Sequence, residues 1–175
     1  MFKRLLIVAV ASVLAGPVFA AGGNVELLKR DWSFSGPFGT FDKAALQRGF
    51  QTYREVCSSC HSLKRIAFRN FADLGYNENE IKALAAEYEV QDGPNDDGDM
   101  FMRAGIPADH IPSPYPNDNA ARAGNNGALP PDLSLIAKAR PNGPDYLYSL
   151  LVSYKEAPAG TTVPEGMYYN PAYPG

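Results

Sequence analysis

The sequence predicts an all-α protein with long loops. Apolar residues recur at helical spacings in several segments, and no stretch alternates apolar and polar residues over a length that would need a β-sheet. The 16 Gly and 15 Pro among 175 residues exceed average usage, which predicts Pro/Gly-rich loops between the helices. Because 45% of the residues are apolar, the chain can bury a core, and a single domain is expected.

Residues 1–20 are predicted to be a secretory signal peptide. Lys3 and Arg4 precede the apolar segment Leu5–Ala15, and small residues around Ala20 provide a cleavage site. That 11-residue segment is shorter than the roughly 20 residues of a bilayer-spanning helix, so an uncleaved anchor is the weaker alternative. Cleavage leaves residues 21–175 as an exported domain, and losing two basic residues changes the formal charge from −3 to −5. This acidic balance argues against nucleic-acid binding, which relies on neutralising phosphates.

The first predicted helix begins after Asp42, a residue type that caps helix N-termini. Four residues then fall at i, i+4, i+7 and i+11 on one face: Leu46, Phe50, Tyr53 and Cys57. This helix is expected to present Cys57 in its last turn, on its buried side. A second helix is predicted from Asn77, which forms a capping-box pattern with Glu80. Its apolar stripe comprises Ile81, Leu84, Ala85 and Tyr88.

Two further helices are predicted near the C-terminus. Residues 133–140 favour a short helix, and Pro144 suits the first position of a longer one. The apolar stripe of the longer helix comprises Leu147, Leu150, Leu151 and Tyr154. Between Gln91 and Pro131, 23 of 41 residues are Pro, Gly, Asn or Asp. That composition predicts a long loop, and its scattered apolar residues indicate that the loop packs against something.

Both cysteines of the chain lie in the motif Cys57-Ser58-Ser59-Cys60-His61. CxxCH is the attachment motif of c-type haem. Two thiols at this spacing reach the two vinyl groups on one edge of the porphyrin, and the adjacent His turns its imidazole to the iron. Attachment takes place on the exported side of the membrane, in agreement with the predicted signal peptide. The sequence therefore predicts one covalently bound haem c.

Two alternatives for the cysteines remain open at this point. An exported CxxC pair can form a disulfide or a redox-active site, although the all-α pattern lacks the βαβ context of a thioredoxin-like protein. Structural zinc needs four ligands. Beyond the motif, the only other Cys or His is His110, in a proline-flanked loop where a solvated histidine is expected.

Four strings in the chain resemble the cytochrome c1 family, the haem subunits of the ubiquinol–cytochrome c reductase (cytochrome bc1) complex. They are RGFQTYREVCSSCHS at 48–62, VQDGPNDDGDMFMR at 90–103, AARAGNNGALPPDLS at 120–134 and GMYYNPAYPG at 166–175. The resemblance covers nearly the whole mature chain and is of the bacterial type. It implies a cytochrome c-like domain wrapped around one covalent haem, which would explain the long loop.

The resemblance also implies roles for individual residues. The thioether attachment points would be Cys57 and Cys60, and His61 would be the proximal ligand of the iron. Arg122 matches a family Arg beside a haem propionate, where a guanidinium suits a carboxylate. Without the resemblance, Arg122 would be taken as an ordinary surface residue. The family pattern places Pro130 and Pro131 against the haem face as a rigid apolar wall.

The implied activity is electron transfer from the Rieske iron–sulfur protein to cytochrome c, in a complex with cytochrome b. No substrate is transformed by the subunit itself, and the location would be the periplasmic face of the bacterial inner membrane. The family is known for acidic docking surfaces, and six carboxylates here lie within 13 residues: Glu87, Glu89, Asp92, Asp96, Asp97 and Asp99.

One departure from the family concerns the second axial ligand. The family's ligand is a Met a few residues after an NPxxPG string, and the last residue of this string here is Gly175. The three candidates present, Met100, Met102 and Met167, do not match that Met. The chain is therefore expected to be C-terminally incomplete, lacking the ligand segment and the membrane anchor. The rival function is a haem protein with an open iron position, a peroxidase or gas sensor, but no distal His with an Arg partner is recognisable.

Overall fold

The computed structural model describes residue 25 and residues 27–173, so the predicted signal peptide lies outside the described residues. These residues belong to two compact units, one comprising Arg30–Gly143 and the other joining the residues up to Lys29 with those from Pro144 onward. The α-helices are α1 (Lys43–Glu55), α2 (Glu78–Ala86), α3 (Asp118–Gly124), α4 (Ile136–Ala139) and α5 (Gly143–Val152). Two 3-10 helices span Cys57–Ser59 and Phe68–Leu74, and two strands, β1 (Glu89–Asp92) and β2 (Phe101–Ala104), complete the fold.

Helix α1 begins as predicted, but it ends earlier and only part of its predicted face is buried, since Leu46 is half-buried. Its N-cap is Asp42, whose Oδ1 accepts a hydrogen bond from the Ala45 N–H at 3.1 Å, and Phe50 and Tyr53 are buried. The backbone leaves helical geometry at Val56, where φ is −123°. Cys57 therefore lies in the following 3-10 turn rather than in the last turn of α1, although it still packs against the core.

Helix α2 has the predicted capping box. The Asn77 side chain accepts from the N–H groups of Asn79 and Glu80 at 3.0 Å, and Glu80 accepts from the Asn77 N–H at 2.7 Å. The stripe residues of α2 are buried, except that Tyr88 lies beyond the end of the helix and is half-buried. The core between α1, α2 and the second 3-10 helix is aromatic at its centre. Phe50 packs on Phe71 with 4.2 Å between ring centroids.

The prediction that no sheet is present is wrong, because β1 and β2 pair antiparallel, with Glu89 opposite Ala104 and Asp92 opposite Phe101. Each strand has four residues and neither contains a buried one, so the sequence carries no alternating apolar signal. Polar contacts hold the hairpin instead. Arg103 pairs with Asp92, and with Asp109 at 2.6 Å. The fold is helix-rich, as expected, with this one small sheet among the described residues.

The C-terminal helices differ in detail from the prediction. Helix α4 is shorter than the expected 133–140, and α3 lies within the segment predicted as loop, capped by Asn117. On α5, Leu151 is 72% exposed, and Tyr154 lies past the helix end and is exposed. Ser149 on α5 is fully buried, and its hydroxyl donates to the Asp145 carbonyl and accepts from the Leu28 N–H. Within the described part of the chain, every helix is too short or too polar to cross a membrane.

Candidate haem-binding site

The CxxCH motif is folded as a tight turn at the end of α1. The N–H groups of Cys60 and His61 both donate to the Cys57 carbonyl, at 3.1 and 2.8 Å. Both cysteines are partly buried free thiols, so the disulfide alternative has no support among the described residues. The turn thus holds two thiols and one imidazole within five consecutive residues.

The His61 ring is oriented by a residue 70 positions further along the chain. His61 Nδ1 lies 2.8 Å from the Pro131 carbonyl oxygen. A carbonyl can only accept, so Nδ1 carries the proton and donates, which leaves the Nε2 lone pair available to a metal. The backbone of His61 is held as well, because the Tyr53 hydroxyl donates to its carbonyl at 2.9 Å.

The pKa of Tyr53 is raised to about 12, first because burial disfavours the phenolate and then because of the nearby Tyr88, Asp132 and Cys57. The phenol therefore keeps its proton at neutral pH and remains a hydrogen-bond donor. Its bond to the His61 carbonyl connects the buried face of α1 with the residue that follows the two cysteines.

Residues 61–65 and 131–134 are joined by a ladder of hydrogen bonds around Asp132. Its Oδ2 accepts from Ser62 Oγ at 2.7 Å and from the Lys64 N–H at 2.9 Å, and its Oδ1 accepts from the Ser134 N–H at 3.1 Å. The Leu133 N–H donates to the Ser62 carbonyl at 2.9 Å. Burial alone would raise the pKa of Asp132, but these hydrogen bonds outweigh it and the pKa lies below its ordinary value.

A cavity of about 460 Å³ lies beside this ladder, within the size range of small-molecule and cofactor sites. Its walls include Cys60, Ser62, Pro130 and Pro131, so the structure brings one cysteine of the motif together with the two predicted prolines, whereas Cys57 and His61 do not line this cavity. The segment Ser113–Asp118 and Ala121 of α3 also line it. A groove of about 590 Å³ along α1 is larger, but it is lined by residues such as Gln47 and Arg48 and contains none of the predicted site residues.

The structure does not place Arg122 in the wall of the cavity. It lies on α3 and is exposed, and its Nη1 donates to the Gly127 carbonyl at 3.1 Å. Its neighbour Ala121 lines the cavity, whereas Arg122 does not. Its role beside a propionate stays a prediction. His110 is exposed, as expected for a solvated loop residue, and its backbone bridges to Ala67.

The donor set fits a c-type haem better than zinc. No group of three or more His, Cys, Asp or Glu side chains suited to a metal ion occurs in the part of the chain that the structure describes. Two thiols and an imidazole with a committed Nδ1–H are instead the groups that covalent attachment and axial ligation of haem require.

A family model described as "Cytochrome C1 family" matches residues 32–175. This chain belongs to the cytochrome c1 family. It is 58% identical over 153 residues to "Cytochrome c1" of Rhodospirillum rubrum, covering 87% of this chain and 56% of that protein. It is 51% identical over 164 residues to "Cytochrome c1, heme protein, mitochondrial" of Schizosaccharomyces pombe, covering 91% of this chain and 53% of that protein.

A third relative is a longer protein whose name includes both cytochrome b and cytochrome c1. "Cytochrome b/c1" of Bradyrhizobium diazoefficiens is 47% identical over 203 residues, which covers 99% of this chain and 30% of that protein. The chain thus spans about half the length of the cytochrome c1 relatives and less of the longer protein.

The family resemblance predicted site residues within the strings around Cys57 and Pro131, but not the residues whose hydrogen bonds fix His61 and join the two strings. Tyr53, Ser62, Asp132 and Ser134 were not predicted as site residues. All four lie inside the two strings that resemble the cytochrome c1 family. Two of them, Ser62 and Asp132, directly follow the predicted site residues His61 and Pro131, and this adjacency is the signal in the sequence that could have identified them.

Proposed function

We propose that this chain binds one haem c through thioether bonds from Cys57 and Cys60, with His61 as an axial ligand of the iron. The observation that carries the proposal is the hydrogen bond from His61 Nδ1 to the Pro131 carbonyl, which sets the tautomer and leaves Nε2 for the metal. Haem supplies one-electron chemistry when it is bound. The chain's residues hold the ring, provide the cavity wall and fix the imidazole.

We further propose that the complete protein passes electrons from a Rieske iron–sulfur protein to a cytochrome c, together with cytochrome b, at the periplasmic face of a bacterial membrane. Membership of the cytochrome c1 family supports this electron-transfer role over a peroxidase or gas sensor. The predicted signal peptide supports the exported location.

Docking of a basic cytochrome c is proposed at the loop between β1 and β2. Of the six clustered carboxylates, Glu87 pairs with Arg54 at 2.6 Å and Asp92 pairs with Arg103, so these two serve the fold. Asp96 and Asp97 are exposed in the loop. The side chain of Asn95 orders that loop by accepting from the N–H groups of Asp97 and Asp99. Opposite charge at an ordered loop accelerates encounter, and salt screens the effect.

Covalent attachment is tested by acid–acetone extraction, followed by a pyridine haemochrome spectrum and intact mass of the polypeptide. The wild-type chain should retain one haem, because thioether bonds survive conditions that break axial ligation. Cys57→Ala and Cys60→Ala should weaken or abolish attachment. Ser59→Ala, between them, is the matched control and should retain haem fully. Complete extraction of haem from the wild-type protein would refute the proposal.

Docking is tested by the rate of electron transfer to a basic cytochrome c at low and high ionic strength. Asp97→Lys should lower the association rate at low salt and have little effect at high salt. Asp73→Lys makes the same charge reversal on the exposed side of the second 3-10 helix and is the control. Equal rates for both variants at low salt would exclude this loop as the docking surface.

A further inference from the structure

We propose that Asp132 is a positioning residue for His61, because its carboxylate holds the Pro131 carbonyl in place against the imidazole N–H. The inference rests on the proposed ligation of haem iron by His61. The inference concerns how this chain fixes the His61 imidazole. Asp132 acts on two chain segments, the one that follows His61 and the one that follows Pro131.

The carboxylate first fixes the chain immediately after His61. Ser62 is 9% exposed, and its hydroxyl donates to Asp132 Oδ2 at 2.7 Å. Two residues later, the Lys64 N–H donates to the same oxygen at 2.9 Å. Because a side-chain donor and a backbone donor converge on one oxygen, the direction in which the chain leaves His61 is determined.

The same carboxylate fixes the chain that carries Pro131. Asp132 Oδ1 accepts from the Ser134 N–H at 3.1 Å, which closes a turn directly after Pro131. The Ser134 hydroxyl in turn accepts from the Arg65 N–H at 3.1 Å. The peptide group between Pro131 and Asp132 is thus anchored on its C-terminal side, and its carbonyl oxygen stays 2.8 Å from His61 Nδ1.

A carboxylate suits this position because three donors converge on its two oxygens. Asparagine has one acceptor oxygen, and its NH₂ group would face a donor, so it cannot satisfy the same set. Losing the ladder lets the Pro131 carbonyl move away from the imidazole. A weaker Nδ1–H···O bond makes the ring a less basic ligand, which stabilises the ferric state less and raises the reduction potential.

The experiment uses the haem-loaded full chain in four forms: wild type, Asp132→Asn, Ser62→Ala and Asp73→Asn. Ser62→Ala removes one donor of the ladder and no charge, and Asp73→Asn removes a carboxylate outside the ladder. The readouts are covalent haem content, reduction potential and amide hydrogen exchange at Leu133. The Leu133 N–H bonds to the Ser62 carbonyl and not to Asp132, so its exchange reports the ladder as a whole.

We expect every form to retain covalent haem through the unchanged cysteines. Asp132→Asn should raise the potential and speed Leu133 exchange about tenfold, equivalent to about 1.4 kcal/mol. Ser62→Ala should shift both in the same direction by less, and Asp73→Asn should leave exchange unchanged. If Asp132→Asn does not fold, Ser62→Ala carries the test. The inference is overturned if the haem-loaded Asp132→Asn and Ser62→Ala proteins match Asp73→Asn in both reduction potential and Leu133 exchange. That result would leave the proposed function intact. A wild type without covalent haem would overturn the proposed function as well.

Discussion

Replacing Tyr53 by Phe removes one oxygen atom and should change stability in a pH-dependent way. The ring is retained, so no cavity forms in the core. The lost group is the hydroxyl that donates to the His61 carbonyl at 2.9 Å. A single hydrogen bond of this kind contributes about 1 kcal/mol net, so Tyr53→Phe should be less stable than the wild type by that amount at about pH 7.

The difference should disappear in alkali because the pKa of Tyr53 is raised from 10.0 to about 12 in the folded protein. A raised pKa contributes stability that is complete below the unfolded value and is lost as pH rises toward the folded value. At about pH 11 the unfolded tyrosine is ionised and the folded one is not, which costs the wild type about 1.4 kcal/mol. Phenylalanine has no such term, so the two proteins should become nearly equal in stability.

Urea unfolding at both pH values measures this difference. A change of about 1 kcal/mol moves the midpoint by about 0.5 M for a typical urea dependence. Other groups titrate alike in both proteins and cancel in the comparison. Tyr168→Phe, at a side chain 82% exposed, is the matched control and should shift neither midpoint. A Tyr53→Phe deficit that is the same size at both pH values would refute the assigned burial and hydrogen bond.

Three other outcomes are expected from the fold. Phe68→Ala should lower the free energy of unfolding by about 3–5 kcal/mol, because Phe68 is fully buried. Phe38→Ala, at a ring 94% exposed, is the control and should change it little. The urea midpoint measures both. Asn77→Ala should cost about 1 kcal/mol by removing the cap of α2, measurable by thermal unfolding. The Arg103 guanidinium holds the pKa of Asp109 below its ordinary 3.8, so the advantage of wild type over Arg103→Met should be present near neutral pH. The stability advantage of the wild type should be lost as the pH falls below 3.8 and through the lowered pKa of Asp109. A stability advantage that grows in acid would contradict the pairing.

Features set by neighbouring residues could be predicted from the sequence, and features set by distant ones could not. Helices α1 and α2 were predicted with their caps, because Asp42 and Asn77 act within three residues. The break at Val56 was missed, since nothing in the apolar spacing marks it. The hairpin was missed because Arg103 holds it through polar contacts rather than through an apolar face.

The candidate site divides in the same way. The CxxCH motif predicts Cys57, Cys60 and His61 as the haem-binding residues, because its chemistry depends on spacing along the chain. The acceptor for the His61 ring and the carboxylate of Asp132 are about 70 residues away, and only the folded chain brings them near. The resemblance supplied Pro131 as a wall, but its carbonyl group as a hydrogen-bond acceptor became evident only from the structure.

The ladder between residues 61–65 and 131–134 has a consequence for the order of assembly. Its contacts close a loop of about 70 residues, and such closures carry an entropic cost that contacts within α1 and the Cys57–Ser59 turn do not have. The two thiols can therefore be presented by a local turn while the imidazole still lacks its acceptor. For the proposed haem attachment, we therefore expect the local turn to present both thiols first and the imidazole to gain its acceptor only when the distant proline segment packs against it.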